Sequence, residues 1–216
     1  MPRARLAELT RKAARDQPPV QPRCFAYSAR EHAFACVGHY PIYNMDHIGA
    51  ADRATNFRID VVGPKRQESW QIAAIGGRAT TPVATVEREL RLLAMTPFAP
   101  KAIELVGWVT VGNVELNLEV RLHEGDASYE NFGELHVRCG TASQTIDLRA
   151  RNVELGDVAR VFVSPDRAWA AIGIVGDDGG EGAMGFALDT VVIELGRVCS
   201  DGERAVWTSR DPDSAG

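Results

Sequence analysis

Hydrophobic and polar residues alternate along several short stretches of this chain. The longest stretch is residues 113–122, where valine or leucine occupies every second position and polar side chains lie between them. Shorter stretches with the same period begin at Phe57 and at Leu135. Because successive side chains of a strand point to opposite faces, this pattern predicts strands with one buried face and one hydrated face. Such strands are typical of antiparallel sheets rather than of parallel sheets covered on both faces.

Residues 82–95 follow a helical pattern instead. Thr81 can cap the start, Pro82 suits the first helical position, and Val86 and Leu90 recur on one face. This predicts an amphipathic helix that packs on its own sheet. The chain is therefore predicted to be mainly β, with antiparallel sheets and one amphipathic helix near residues 82–95. Further strands are predicted at residues 70–75, 146–150, 159–163, 169–175, 188–195 and 205–208.

The N-terminal segment differs in composition from the rest of the chain. Residues 4–15 are rich in arginine and carry Leu6 and Leu9 on one side, which predicts a short helix that ends before Pro18 and Pro19. We interpret it as a loosely attached segment, so deletion of residues 1–20 is expected to leave the fold intact. The predicted organisation is a basic, partly disordered leader at 1–22, a single β-rich domain at 23–210 and a disordered tail at 211–216.

Composition and charge exclude several classes of partner. The formal net charge is -5 and the sequence pI is about 5.6, whereas nucleic-acid binding needs a concentrated basic surface. No apolar run approaches the roughly 20 residues needed to cross a bilayer. We therefore predict no nucleic acid and no membrane span, and the remaining partner class is another protein. The oligomeric state is not indicated.

One pair of cysteines has a simple local relation. Cys24 and Cys36 lie symmetrically about Arg30. A hairpin that turns at this arginine, with Phe25 opposite Ala35, would place the two cysteines opposite each other and near enough to bond. We predict a disulfide between Cys24 and Cys36, and the alternative is that both are small buried thiols.

The compartment follows from the cysteines only indirectly. Cys139 and Cys199 have no local relation to each other, and a count of four cysteines fits two disulfides or four thiols. Disulfides persist in oxidising compartments. The predicted bond favours a periplasmic or secreted protein whose signal is absent from this chain, with a cytoplasmic protein as the alternative.

Two segments, residues 24–63 and 161–196, share one plan of strand, serine-containing turn, strand, loop and strand. In the second segment, Val-Phe-Val-Ser-Pro-Asp ends at Asp166 and an apolar strand with two alanines follows. This segment resembles the repeat of TolB-type β-propellers, and it is also similar to a family of predicted secreted proteins of unknown function. The resemblance covers residues 161–196, with a weaker echo around Ser28. It implies propeller-blade-like meanders, and two meanders in a sandwich-like arrangement fit the same pattern.

The stretch at residues 39–52 combines aromatic residues with possible metal ligands, and we interpret it as a loop. Aromatic side chains bury area with little loss of entropy, which makes the loop the best candidate for a contact surface. The predicted binding residues are Tyr40, Tyr43, Asn44 and His47. Its histidines and aspartates match no established metal-site spacing, so we interpret them as polar loop residues and predict no metal.

The sequence contains no recognisable catalytic motif. Ser164 is not within a Gly-x-Ser-x-Gly elbow, no Cys-x-x-Cys pair occurs, and neither a Walker motif nor a Gly-x-Gly-x-x-Gly pattern is present. We predict a non-enzymatic β-rich binding or protein-interaction domain without a cofactor. The alternative is a hydrolase whose catalytic residues are scattered over loops. A deep pocket with two or more converging ionisable groups would favour the hydrolase.

Overall fold

Alternating hydrophobic positions become strands in the computed structural model, which describes residues 2–15, 22–44, 55–73, 80–122, 131–148, 158–177 and 183–209. Strand accounts for 54% and helix for 20% of the structure, which confirms the predicted antiparallel, mainly β class. None of the helices in the described ranges is long and apolar enough to cross a membrane. The strands are β1 (Cys24–Ser28), β2 (Ala33–Asn44), β3 (Thr55–Gly63), β4 (Arg66–Ala73), β5 (Thr96–Pro97), β6 (Ile103–Glu104), β7 (Val109–Val111), β8 (Val114–Leu122), β9 (Asn131–Cys139), β10 (Ala142–Asp147), β11 (Val158–Val163), β12 (Trp169–Asp177), β13 (Ala183–Glu194) and β14 (Val206–Thr208). The helices are α1 (Pro2–Arg15), α2 (Val83–Leu92) and α3 (Val198–Asp201), and a 3-10 helix at Gly202–Ala205 follows α3.

Ten of these strands form one large antiparallel sheet. Its main order is β4-β3-β2-β13-β12-β11-β6, and β1, β5 and β14 attach beside this path. The described residues of β2 and β13 pair only where Ile42, Tyr43 and Asn44 meet the start of β13. The sheet therefore has two halves, β1–β5 and β6 with β11–β14, joined by a short ladder.

The two halves pack face to face. Phe34 and Val62 from the first half share a buried cluster with Phe162, Ala171 and Val192 from the second. The last three are cross-strand partners, so they occupy one face of the second half. Each of the two sequence segments with a common plan thus forms three consecutive antiparallel strands, and these two units lie against each other.

The second sheet is a four-stranded meander in the order β10-β9-β8-β7. The predicted alternation is confirmed in the first part of β8, where Val114 and Leu116 are fully buried and Glu115 between them is exposed, whereas Val120 further along is 43% exposed. The side chains of Val114, Leu116 and Leu135 share a cluster with Ile172 of the second half. The meander therefore covers the face of the second half that points away from the first half.

Helices α1 and α2 cover the outer face of the first half. The predicted helix near residues 82–95 is observed as α2, and its buried side chains are Val86 and Leu90. These two residues pack in one cluster with Phe25, Ala35 and Ile59 of the sheet. The layers are therefore helices, first half, second half and meander.

Helix α1 is predicted correctly as a helix, but its attachment differs from our expectation. Leu6 is 2% exposed and lies in the same cluster as α2, and Thr10 is also buried. Arg11 Nε lies 2.9 Å from Glu87 Oε1 on α2. The basic residues of the segment suggested a leader in water, whereas its apolar side is part of the core. Removal of residues 1–20 would expose this cluster, and the fold is no longer expected to tolerate it.

The predicted pair Cys24 and Cys36 lies at disulfide distance, with the two sulfur atoms 2.01 Å apart. The register that led to this prediction is wrong by one residue near the turn, because Ala26 and not Phe25 faces Ala35. An irregularity between Cys24 and Ala26 shifts the register back and places the cysteines opposite each other. A β-bulge adds one residue on one strand in this way.

Cys139 and Cys199 also lie at disulfide distance, with their Cα atoms 6.1 Å apart. This pair links the end of β9 in the meander to α3, which follows the second half of the large sheet. Gln144 Nε2 on β10 donates a hydrogen bond to the Cys199 carbonyl oxygen at 3.2 Å. The meander is thus linked to the rest of the fold by this cysteine pair, and it also shares a hydrophobic cluster with the second half of the large sheet.

Candidate functional site

A cavity of about 370 Å³ lies where α1, β1, β11 and the segment after β5 meet. Three phenylalanines form much of its wall, and all three are buried: Phe25, Phe98 and Phe162. Pockets for small molecules have volumes of about 300–1,000 Å³ and mostly apolar walls. The full lining consists of Leu9, Pro22, Arg23, Cys24, Phe25, Phe98, Ala99, Pro100, Ala102, Arg160 and Phe162.

Hydrogen bonds hold β5 and the residue that follows it on β1. The Phe98 amide donates to the Phe25 carbonyl oxygen at 2.8 Å, and Thr96 Oγ1 donates to the Tyr27 carbonyl oxygen at 3.0 Å. On the other side of β1, the Val37 amide donates to the carbonyl oxygen of residue 23 at 2.9 Å. Part of the cavity wall is therefore backbone that hydrogen bonds hold to the sheet.

Two arginines, Arg23 and Arg160, are the charged residues of the lining. Arg160 Nη2 lies 3.4 Å from Glu104 Oε1 on the neighbouring β6. A guanidinium keeps its charge at all ordinary pH values and offers donors but no acceptor. This cavity therefore combines aromatic walls with groups that bind anions.

The cavity was not predicted from the sequence, and the sequence holds no local signal for it. Arg23 was placed at the border between leader and domain, and Arg160 within a strand. Phe98 follows the predicted helix. Only the docking of α1 and the pairing of β5 with β1 bring these residues together.

A hydrogen-bonded cluster surrounds the Ser-Pro-Asp turn between β11 and β12. Ser164 Oγ donates to Asp166 Oδ1 and accepts from the Trp169 amide at 3.0 Å. The Ala168 amide donates to the same carboxylate at 3.1 Å, and Tyr27 Oη donates to its other oxygen at 3.2 Å. The bond from Tyr27 joins the two segments that share one plan.

Electrostatics fix the protonation states in this cluster. Burial, and then the Asp166 charge, hold the pKa of Tyr27 above its ordinary value, so the phenol stays a donor. Partial burial of Asp166 opposes its charged form, but the hydrogen bonds from Ser164, Ala168 and Tyr27 outweigh this and keep its pKa below the ordinary value. The Ser164 hydroxyl donates its proton to a carboxylate whose pKa is lowered, and such a carboxylate is a weak base for activating a serine.

Replacing Asp166 with asparagine is expected to lower the free energy of unfolding above about pH 4. It should also make this free energy depend less on pH in the acid range. The lowered pKa of Asp166 adds stability that is present above the unfolded pKa of about 3.9 and is lost as the pH falls through the folded pKa. Because the carboxylate is partly in water, we expect a loss of about 0.5–1 kcal/mol at pH 7. Urea unfolding between pH 2.5 and 7 measures this. The control Glu115→Gln, on the exposed face of β8, should unfold with the wild-type pH profile, and an Asp166→Asn curve parallel to wild type would contradict the assignment.

A buried ionic cluster lies where the two halves of the large sheet meet. Arg58 Nε lies 2.9 Å from Asp60 Oδ1, and Arg58 Nη2 lies 3.4 Å from Asp189 Oδ1 on β13. Both carboxyl residues are 1% exposed. Ser69 Oγ donates to Asp60 Oδ1 at 2.6 Å. A Cβ atom at Gly38 would overlap Asp60 Oδ2, so the absence of a side chain at this position of β2 leaves space for the cluster. The cluster ties β3 to β13 and serves the fold.

The predicted contact residues belong to a stretch that we interpreted as a loop. Tyr40, Tyr43 and Asn44 belong to the end of β2 rather than to a loop, and Tyr43 pairs with Met184 at the ladder between the two halves. His47 lies outside the described residues. Their role as a contact surface stays a prediction.

No family model, no curated protein and no solved structure matches this chain.

Proposed function

We propose that this chain is a non-enzymatic binding domain whose cavity takes a small ligand with an apolar body and one carboxylate. The observation that carries the proposal is the cavity wall, which joins Phe25, Phe98 and Phe162 to Arg23 and Arg160. Arginine forms charge-assisted hydrogen bonds to carboxylates, and these are stronger than hydrogen bonds between neutral groups. A medium-chain carboxylate fits both parts of the wall.

The lining chemistry favours binding over hydrolysis. General acid–base catalysis needs groups that exchange a proton near the working pH, and a guanidinium does not. Cys24 is the one cysteine of the described lining, and its sulfur lies at disulfide distance from Cys36. The hydrolase alternative therefore has no site among the residues that line this cavity.

The cysteine pairs support an oxidising compartment as part of the proposal. Two pairs at disulfide distance are expected of a periplasmic or secreted protein rather than of a cytoplasmic one. The net charge of -5 continues to argue against nucleic acid as the partner.

Calorimetric titration with decanoate and with decan-1-ol tests the proposal, because the two probes share an apolar chain and differ in charge. We expect one decanoate per chain and a Kd at least tenfold lower than that of decan-1-ol. Replacing Arg160 with glutamine should raise the decanoate Kd about 10- to 100-fold, since a hydrogen bond to a charged group contributes about 1.5–3 kcal/mol. The Kd of decan-1-ol should stay within about threefold.

Two further variants separate the cavity from a general charge effect. Arg66→Gln removes an arginine on β4 whose side chain is 44% exposed and should leave decanoate binding unchanged. Ala99→Trp adds a large ring at an exposed position of the cavity wall and should abolish binding of both probes. Equal affinities for the two probes, or an equal loss in Arg66→Gln and Arg160→Gln, would reject the proposal.

A further inference from the structure

Two carboxylates and an imidazole converge on the outer face of the meander. Glu119 on β8 lies directly opposite Glu134 on β9, and His136 follows two residues further along β9. The neighbouring Leu135 is fully buried in the core on the opposite face. One ligand atom from each of the three side chains lies within 4.8 Å of the other two. We call Glu119, Glu134 and His136 the His136 cluster.

The His136 cluster places two carboxylates of like charge opposite each other. Like charges that face each other directly across two strands are destabilising. Glu119 and Glu134 are such a pair, and both carboxylates also approach the same imidazole. A cation between the three groups would turn this repulsion into attraction.

The interatomic distances match those around a tetrahedral metal ion. His136 Nε2 lies 3.3 Å from Glu119 Oε2 and 3.6 Å from Glu134 Oε2. Zinc binds nitrogen and carboxylate oxygen at about 2.0–2.2 Å, so two of its tetrahedral ligands are roughly 3.4 Å apart. The two separations from the imidazole therefore match those around a shared ion, and the ligand atoms of the two carboxylates lie within 4.8 Å of each other.

The orientation of the imidazole is a second, independent observation. His136 Nδ1 lies 3.1 Å from Thr145 Oγ1 on β10. Within the described ranges, Nε2 is shielded from solvent and makes no hydrogen bond. Histidines that bind metals usually donate the other ring N–H to an oxygen, which fixes the ring and leaves one lone pair for the ion. With Nδ1 donating to Thr145, the Nε2 lone pair is left for an ion that the two nearby carboxylate oxygens could also bind.

We propose that the His136 cluster binds one divalent transition metal ion of the zinc class. Two carboxylates neutralise its charge, the imidazole supplies a nitrogen ligand, and three protein ligands leave a fourth position open to water. Thr145 is a positioning residue that acts through His136. All four side chains lie on paired strands, which hold ligands more rigidly than loops do.

Calorimetric titration of untagged, metal-free protein with ZnCl₂ tests the site. We expect binding to the wild type, and a Kd raised at least 100-fold in His136→Gln. Thr145→Val keeps all three ligands and should raise the Kd about 10- to 100-fold, because outer-shell partners contribute this much to metal affinity. Titration with CoCl₂ should give the intense visible absorption of four-coordinate cobalt in the wild type.

Two controls distinguish the His136 cluster from zinc binding elsewhere on the protein. Glu115→Gln alters a carboxylate on the same face of β8 and should bind zinc as the wild type does. Histidines elsewhere, including those of residues 39–52, are unchanged in all variants, so binding that persists in His136→Gln would overturn the proposal. The pale spectrum of six-coordinate cobalt, or a Thr145→Val Kd equal to that of the wild type, would also overturn it. Circular dichroism of each variant checks that the meander remains folded.

Discussion

Replacing Arg58 with methionine is expected to lower the free energy of unfolding at pH 7 by about 3–5 kcal/mol. The variant keeps most of the side-chain volume but removes the guanidinium that contacts both Asp60 and Asp189. Those two carboxyl residues are each 1% exposed, so their charges would stay out of water without this partner. Urea unfolding measures the loss.

Arg66→Met provides a matched control for this prediction. Arg66 Nη1 lies 3.3 Å from Glu68 Oε1, but its side chain is 44% exposed. Exposed ion pairs contribute about 0–1 kcal/mol, so this variant should stay close to the wild type. A similar loss in both variants would mean that the buried cluster does not bind the two halves of the sheet together.

Removal of the Cys139–Cys199 link by two alanine substitutions should lower the free energy of unfolding by about 4 kcal/mol. The link joins residues 60 positions apart, and closing a long loop restricts the unfolded chain more than closing a short one. Urea unfolding without reductant measures the effect. Adding reductant to the wild type should lower its midpoint as well, and it should have less effect on the variant.

The other cysteine pair is the comparison for loop length. Cys24 and Cys36 are 12 positions apart, for which the same relation gives about 3 kcal/mol. Both variants change two cysteines to alanine, so differences in side-chain chemistry largely cancel. If the variant without Cys24 and Cys36 were less stable than the variant without Cys139 and Cys199, loop entropy would not decide the order. The loss of buried contacts at Cys24 and Cys36 would then be the larger effect.

Strand positions were predictable because period-two alternation reports burial directly. The stretch at residues 113–122 became β8, and the helix near residues 82–95 became α2 with Val86 and Leu90 in the core. The two segments with a common plan became two three-stranded units. The likeness to TolB-type propeller repeats stays a prediction.

Other features depend on contacts that no local pattern encodes. The bulge beside Cys24 shifts the hairpin register by one residue, and nothing in the hairpin sequence indicates it. Leu6 was predicted to lie on one side of a helix, but its burial depends on α2, which is far away in the chain.

The candidate sites were beyond prediction for the same reason. Arg23 precedes β1 and Arg160 lies on β11, and both line the cavity although these two strands do not pair within the described residues. In the sequence, Glu119 and His136 are only two polar positions of separate strands. Their proximity follows from the register in which β8 pairs with β9. Sequence reasoning chose the stretch at residues 39–52 instead, because aromatic residues that are close in sequence are visible there.

The Cys139–Cys199 pair also changes what a cut in the chain would do. With the bond closed, residues 139–199 form a covalent ring that contains β10, β11, β12 and β13. Hydrolysis of one peptide bond inside this ring produces two chain ends but releases no fragment. Nicked protein would therefore migrate as one species on a non-reducing gel and separate into two after reduction. In a compartment rich in proteases, a molecule cut at such a bond would keep every part of its sequence attached.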